Sequence, residues 1–144
     1  MMGVIPIVNE NDSVCIEEIE SEHKVFGDND TLSAVVATLV DADLLVLLSD
    51  IDGLYDCDPH KNPDAKLIPV VTELNDWITS LAGGSKSNLG TGGMVTKLYA
   101  AGIAGESGID TIITNGAMPK NLYIAVYGGE VGTRFNLNSR RCLV

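Results

Sequence analysis

Basic side chains are scarce in this sequence: nine Lys and Arg stand against twenty Asp and Glu, for a formal net charge of −11 across 144 residues. That shortage argues against nucleic acid as a partner, because a phosphate backbone needs a basic face. It also constrains any smaller anionic ligand. An acidic chain that binds phosphate has to build local positive potential from a few Lys, helix N-termini and a metal ion. Cysteine is equally sparse. Cys15, Cys57 and Cys142 are odd in number, far apart and never in a C-x-x-C pair, so neither a disulfide framework nor a zinc site is expected, and a reducing cytoplasm is the simplest setting. His23 and His60 stand alone and read as surface residues. No apolar run approaches the ~18 residues of a membrane span. The first residues carry no basic region or cleavage pattern, so no secretory signal is expected, and the two Asn-x-Ser/Thr sites at Asn11 and Asn29 are discounted as glycosylation sites.

What is present is ordinary for a folded domain: 45% apolar residues and 20% charged, in a chain long enough to bury a core. Periodicity predicts its elements. Residues 4–8 are a short β-branched apolar run, read as a buried strand. Residues 9–30 are polar and acidic and read as a long loop, a kind that is often functional. Residues 31–40 read as a helix with an apolar stripe of Leu32, Val35, Val36, Leu39 and Val40, capped by Asp30. The unbroken run 44–48 reads as a central parallel strand, and 49–65 as turns. A strand at 67–71 and a short helix at 73–81 follow. Residues 83–93 hold five glycines and cannot be regular structure. The stretch 94–107 is a helix rich in Ala and Gly, 111–114 a buried strand, 122–127 a weak helix and 131–135 a last strand. Alternating strands and helices give an α/β class with a mostly parallel sheet. Ligands in such sheets lie at the carboxyl ends of strands, so the loops after Val8, Leu48 and Leu81 become candidates for one shared site.

Three segments can carry chemistry. Gly90-Thr-Gly-Gly-Met-Val-Thr-Lys97 has glycines that let backbone N–H groups approach a phosphate, a helix N-terminus beginning near Met94, and Lys97 in the first helical turn. It is not a Walker A loop, since Lys97 follows Thr96 instead of Gly. The alternative is a flexible surface loop before an ordinary helix. Asn9-Glu-Asn-Asp12 and Gly27-Asp-Asn-Asp30 bracket the long loop with groups that hydrogen-bond amines, amides and metal-bound water; capping and Asx turns explain the same residues. Ser49-Asp50-Ile-Asp52-Gly53-Leu-Tyr-Asp56 follows the apolar strand where a ligand loop is expected. It does not fit a calcium loop, because Gly53 falls at position four from Asp50.

In order along the chain, Ile5-Pro-Ile-Val-Asn-Glu-Asn-Asp12, Phe26-Gly-Asp-Asn-Asp-Thr-Leu-Ser-Ala34, Val40-Asp-Ala-Asp-Leu-Leu-Val-Leu-Leu-Ser-Asp-Ile-Asp-Gly-Leu-Tyr55, Leu89-Gly-Thr-Gly-Gly-Met-Val-Thr-Lys97, Gly108-Ile-Asp-Thr-Ile-Ile113 and Gly132-Thr-Arg-Phe135 resemble the glutamate 5-kinase branch of the amino acid kinase family. The resemblance covers residues 3–135. It implies a three-layer αβα sandwich and identifies residues 1–135 as the carboxyl-terminal part of a catalytic domain, with 136–144 as a tail. It implies transfer of the γ-phosphoryl group of ATP to the side-chain carboxylate of L-glutamate, with Mg²⁺, in the cytoplasm, opening proline biosynthesis. Asp12 and Asn29 would bind glutamate. Ser49 and Asp50 would contact the nucleotide, Thr91, Gly92, Gly93, Met94, Val95, Thr96 and Lys97 would wrap its phosphates, and Lys97 would be catalytic. No metal ligand on the protein is singled out, and a homo-oligomer is expected. A kinase with another carboxylate acceptor and a non-catalytic nucleotide-binding or assembly module are the competing readings.

Overall fold

A computed structural model describes residues 5–9, 29–82 and 93–137. The elements are α1 (Asn29–Leu39), β1 (Leu44–Ser49), β2 (Val70–Val71), α2 (Asp76–Ala82), α3 (Met94–Glu106), β3 (Asp110–Asn115), α4 (Lys120–Val126) and β4 (Thr133–Phe135). The strands form one sheet in the order β1-β3-β4-β2. β1 runs parallel to β3 with Leu44 opposite Asp110 and Ser49 opposite Asn115. β2 is parallel to β4, while β3 and β4 are antiparallel. The sheet is therefore mixed, with two of its three pairings parallel. The expected α/β class stands.

Side-chain alternation assigns the two faces. Leu45 and Leu47 of β1 and Ile113 of β3 share a buried cluster with Ala34 and Ala37 of α1 and Ala100, Ala101 and Ala104 of α3. α1, α2 and α3 cover that face. α4 packs against β1 and β3 without a place in that cluster, and Asn121 of α4 donates to Thr114 Oγ1 of β3, so it covers the other face. Three layers result. α1 was expected to bury Leu32, Val35, Val36, Leu39 and Val40. Its fully buried residues are instead Thr31, Ala34 and Ala37, and Leu39 is 78% exposed. The reason is close packing: α3 presents Ala and Gly, so α1 meets it through its own small residues and turns the larger side chains to the flanks.

Three further expectations are corrected. Residues 5–9 form no strand, and Ile5 and Ile7 are exposed. β1 lies at the edge of the sheet among the described residues, although its composition reads as central. The strand expected over 67–71 shrinks to Val70–Val71, with Leu67 making an isolated bridge to Tyr55. Pro69 lies between them and has no N–H for a ladder, though its carbonyl accepts from Arg134 N at 2.9 Å. Leu137 packs against Gly105 and Asn136 N donates to Val71 O, so the packed body reaches at least residue 137.

A threonine locks the far end of the sheet to the loop after β1. Thr133 is fully buried. Its hydroxyl accepts from Leu54 N at 2.8 Å and donates to Ile68 O at 2.7 Å. Gly53 passes so close that a Cβ there would sit 2.6 Å from the same hydroxyl.

Candidate functional site

α1 joins β1 through residues 40–43, and α3 joins β3 through 107–109. Such short links make each helix run back along the strand that follows it. The N-termini of α1 and α3 therefore lie at the carboxyl edge of β1 and β3, where ligands bind in open α/β sheets. Two positive helix ends and the exits of two parallel strands meet there.

The first cluster joins the two helix starts. Asp30, in the first turn of α1, accepts from Lys97 Nζ at 2.9 Å and from Thr96 Oγ1 at 3.0 Å. Both side chains of the ion pair are largely enclosed, at 9% exposure for Lys97 and 15% for Asp30. The single Thr96 hydroxyl proton is shared between Asp30 and Gly93 O, the latter at 2.7 Å. The start of α3 has no side-chain cap: Gly93 is extended at φ −78 and ψ 178. The first N–H groups of the helix thus point along its axis without an intrahelical acceptor. A Cβ added at Gly93 would meet none of the described residues within 4 Å. Lys97, read from sequence as reaching toward an anion, is held by Asp30. One of its three ammonium donors is so used, leaving two that can face a ligand.

The second cluster lies at the strand exits. Ser49 closes β1, and its carbonyl accepts from Gly116 N at 2.8 Å. Its hydroxyl lies 3.2 Å from Asp50 Oδ1. The Asp52 carboxylate accepts from Asn115 Nδ2 at 3.0 Å through Oδ1 and from Tyr55 OH at 3.3 Å through Oδ2. Partial burial, then the neighbouring Asp52 charge and this hydrogen bond, push the Tyr55 phenol above its ordinary value. Farther out, Asp56 accepts from Lys66 N at 2.8 Å, which lowers its pKa. Asp58 pairs with Lys61 at 2.9 Å, which lowers its own. These two acids shape the outer loop and are separate from the strand exits, as their turn-rich sequence suggested.

The carboxyl edge thus collects Asn29, Ser49, Asp50, Gly93, Met94, Val95, Thr96 and Lys97. Asp12, Thr91 and Gly92 lie outside the described residues. Sequence reading missed two members. Asp30 was read as a cap, yet it is the acceptor that joins both helix starts; the signal was its place in a helix with no basic residue of its own. Asn115 lies just past the strand expected over 111–114 and was assigned no role. Among the described residues no three His, Cys, Asp or Glu converge on one point, and no helix is long and apolar enough to cross a membrane.

Comparisons with known proteins identify relatives of the chain as a whole. The chain is 54% identical over 133 residues to glutamate 5-kinase of Clostridium perfringens, covering 92% of this chain and 49% of that one. It is 58% identical over 133 residues to glutamate 5-kinase of Carboxydothermus hydrogenoformans, covering 92% and 34%. It therefore spans about a third to a half of the length of these curated relatives. Among solved structures, an isopentenyl phosphate kinase superposes with a TM-score of 0.53 at 29% identity, over 75% of this chain and 37% of that one. The uridylate kinase of Archaeoglobus fulgidus gives 0.55 at 25%, over 74% and 45%. The family model for the amino acid kinase family matches residues 1–115, and with most of its length so matched, the chain belongs to the amino acid kinase family.

Proposed function

We propose that this chain supplies the ATP-handling portion of a glutamate 5-kinase, which transfers the γ-phosphoryl group of ATP to the side-chain carboxylate of L-glutamate. The product, glutamyl 5-phosphate, opens proline biosynthesis. The observation that carries this reading is the meeting of the uncapped α3 start, Lys97 and Asp30 at the carboxyl edge beside Ser49 and Asp50. The likeness to two glutamate 5-kinases over 92% of the chain supports glutamate as the acceptor.

The chemistry asks little of a base. A glutamate side chain is ionised at neutral pH and is already a nucleophile. The demand is to align two anions and to neutralise charge on the moving phosphoryl group. In this reading the phosphates lie on the N–H groups of Met94 and Val95 and on the Lys97 ammonium, with Thr91 and Gly92 completing the wrap. Asp30 holds Lys97 at the start of α3. Ser49 and Asp50 meet the nucleoside side, and Asn29, with Asp12, meets glutamate. Mg²⁺ would come as Mg-ATP, bound by phosphate and water, with Asp50 an acid at the strand exit; when bound it supplies charge neutralisation.

Coupled ADP release with Mg-ATP and a panel of carboxylate acceptors tests this. L-Glutamate is expected to drive release above the rates with L-aspartate and N-acetylglutamate, and preference for another acceptor would sink the assignment. A homo-oligomer is part of the same proposal. β1 offers an open apolar edge among the described residues, and such edges associate. Sedimentation should find a dimer or larger species; a monodisperse monomer would remove that part.

A further inference from the structure

We propose that Asn115 is a positioning residue of the nucleotide edge: its side-chain amide clasps Asp52 and thereby fixes the turn leaving β1, which carries Asp50 directly after Ser49. This rests on the reading that ATP binds at that edge. Asn115 stands opposite Ser49 in the parallel register. The two strands part just beyond, after the bond from Gly116 N to Ser49 O. Past that bond the ladder no longer holds the turn. What crosses the gap is one side-chain contact, Asn115 Nδ2 to Asp52 Oδ1 at 3.0 Å.

The amide's orientation is determined by its other partner. Ala117 N–H, which can only donate, points at Asn115 Oδ1 from 2.9 Å, so Oδ1 faces Ala117 and Nδ2 faces Asp52. The Asn115 carbonyl is itself held by Asn121 Nδ2 of α4 at 3.2 Å. Tyr55 holds the second Asp52 oxygen. The chain of contacts α4–Asn115–Asp52–Tyr55 thus ties the β1 exit to a rigid helix. Asp52 is exposed, so the contact adds little to core packing. Its effect is to populate one shape of the turn. A site whose competent shape is only partly populated binds more weakly by that fraction.

Asn115→Asp places a carboxylate against Asp52 and should open the turn. Mg-ATP binding, measured by equilibrium titration of the whole chain, is expected to weaken about tenfold through the loss of the competent shape. The double variant Asn115→Asp/Asp52→Asn restores one amide facing one carboxylate and should recover most of the affinity. Hydrogen exchange over residues 50–55 should rise in the single variant and fall again in the double, with melting temperature little changed. Unchanged affinity in Asn115→Asp, or equal weakness in both variants, would overturn the positioning role while the ATP reading stands. Failure of the unaltered chain to bind Mg-ATP would overturn the ATP reading, and this inference with it.

Discussion

Replacing Lys97 by methionine is expected to lower glutamate-dependent turnover on the order of 10²–10³, the usual loss when one charge-stabilising donor is removed from a phosphoryl or acyl site. The same change should also destabilise the fold. Lys97 is 9% exposed, and its loss takes the ammonium from Asp30. Breaking a buried pair by removing one member costs about 3–5 kcal/mol. Loss of activity in that variant alone could then mean loss of fold. The double variant Lys97→Met/Asp30→Asn separates the two. It takes away both charges, keeps a polar group against Thr96, and should recover much of the stability, since paired residues are not additive. Denaturant melts report that recovery. Turnover should stay low, because the ammonium is still missing from the phosphate side. If turnover returned with stability, Lys97 would be a structural residue only.

This pair also marks where sequence reading stopped. Periodicity placed α1, β1, α3 and β3 closely, because each carries a strong pattern: the expected 31–40, 44–48, 94–107 and 111–114 fall within two residues of Asn29–Leu39, Leu44–Ser49, Met94–Glu106 and Asp110–Asn115. The candidate site was legible as three segments at strand exits and helix starts. Their meeting was not. Asp30 and Lys97 are 67 residues apart in sequence, and no local pattern links an acid in one helix to a base in another. The inward face of α1 was misjudged for a related reason. The stripe rule assumes that the largest apolar side chains seek the core, whereas here the facing helix admits only Ala34, Ala37 and Thr31. β1 reads as central and lies at an edge of the described sheet, since composition records the burial a strand is built for and not which neighbour supplies it.

Gly132-Thr-Arg-Phe135 was recognised as part of the family resemblance and carried no assigned role, and its geometry predicts a large effect on the fold. Gly132 has φ +62, in the region where an L-residue is penalised by roughly 1–2 kcal/mol. A Cβ there would run into Ile113 O and stand 2.9 Å from Thr114 Cβ. Both neighbours belong to β3, which is clamped between β1 and β4, so the backbone has little room to give. Overpacking of that kind adds about 1–3 kcal/mol. Gly132→Ala should therefore lose about 2–5 kcal/mol, a large share of the 5–15 kcal/mol that holds a domain together. Gly128 provides the control. It has φ +77, yet a Cβ there meets nothing within 4 Å, so Gly128→Ala should show the conformational penalty alone. Equal losses in denaturant melts would mean that the contact with β3 relaxes freely. A larger loss at Gly132 would show that the last strand is seated by backbone proximity. Thr133 follows directly, and its hydroxyl reaches both Leu54 N and Ile68 O, fixing the loop that leaves β1. The motif of β4 thus acts on the site through the loop it anchors.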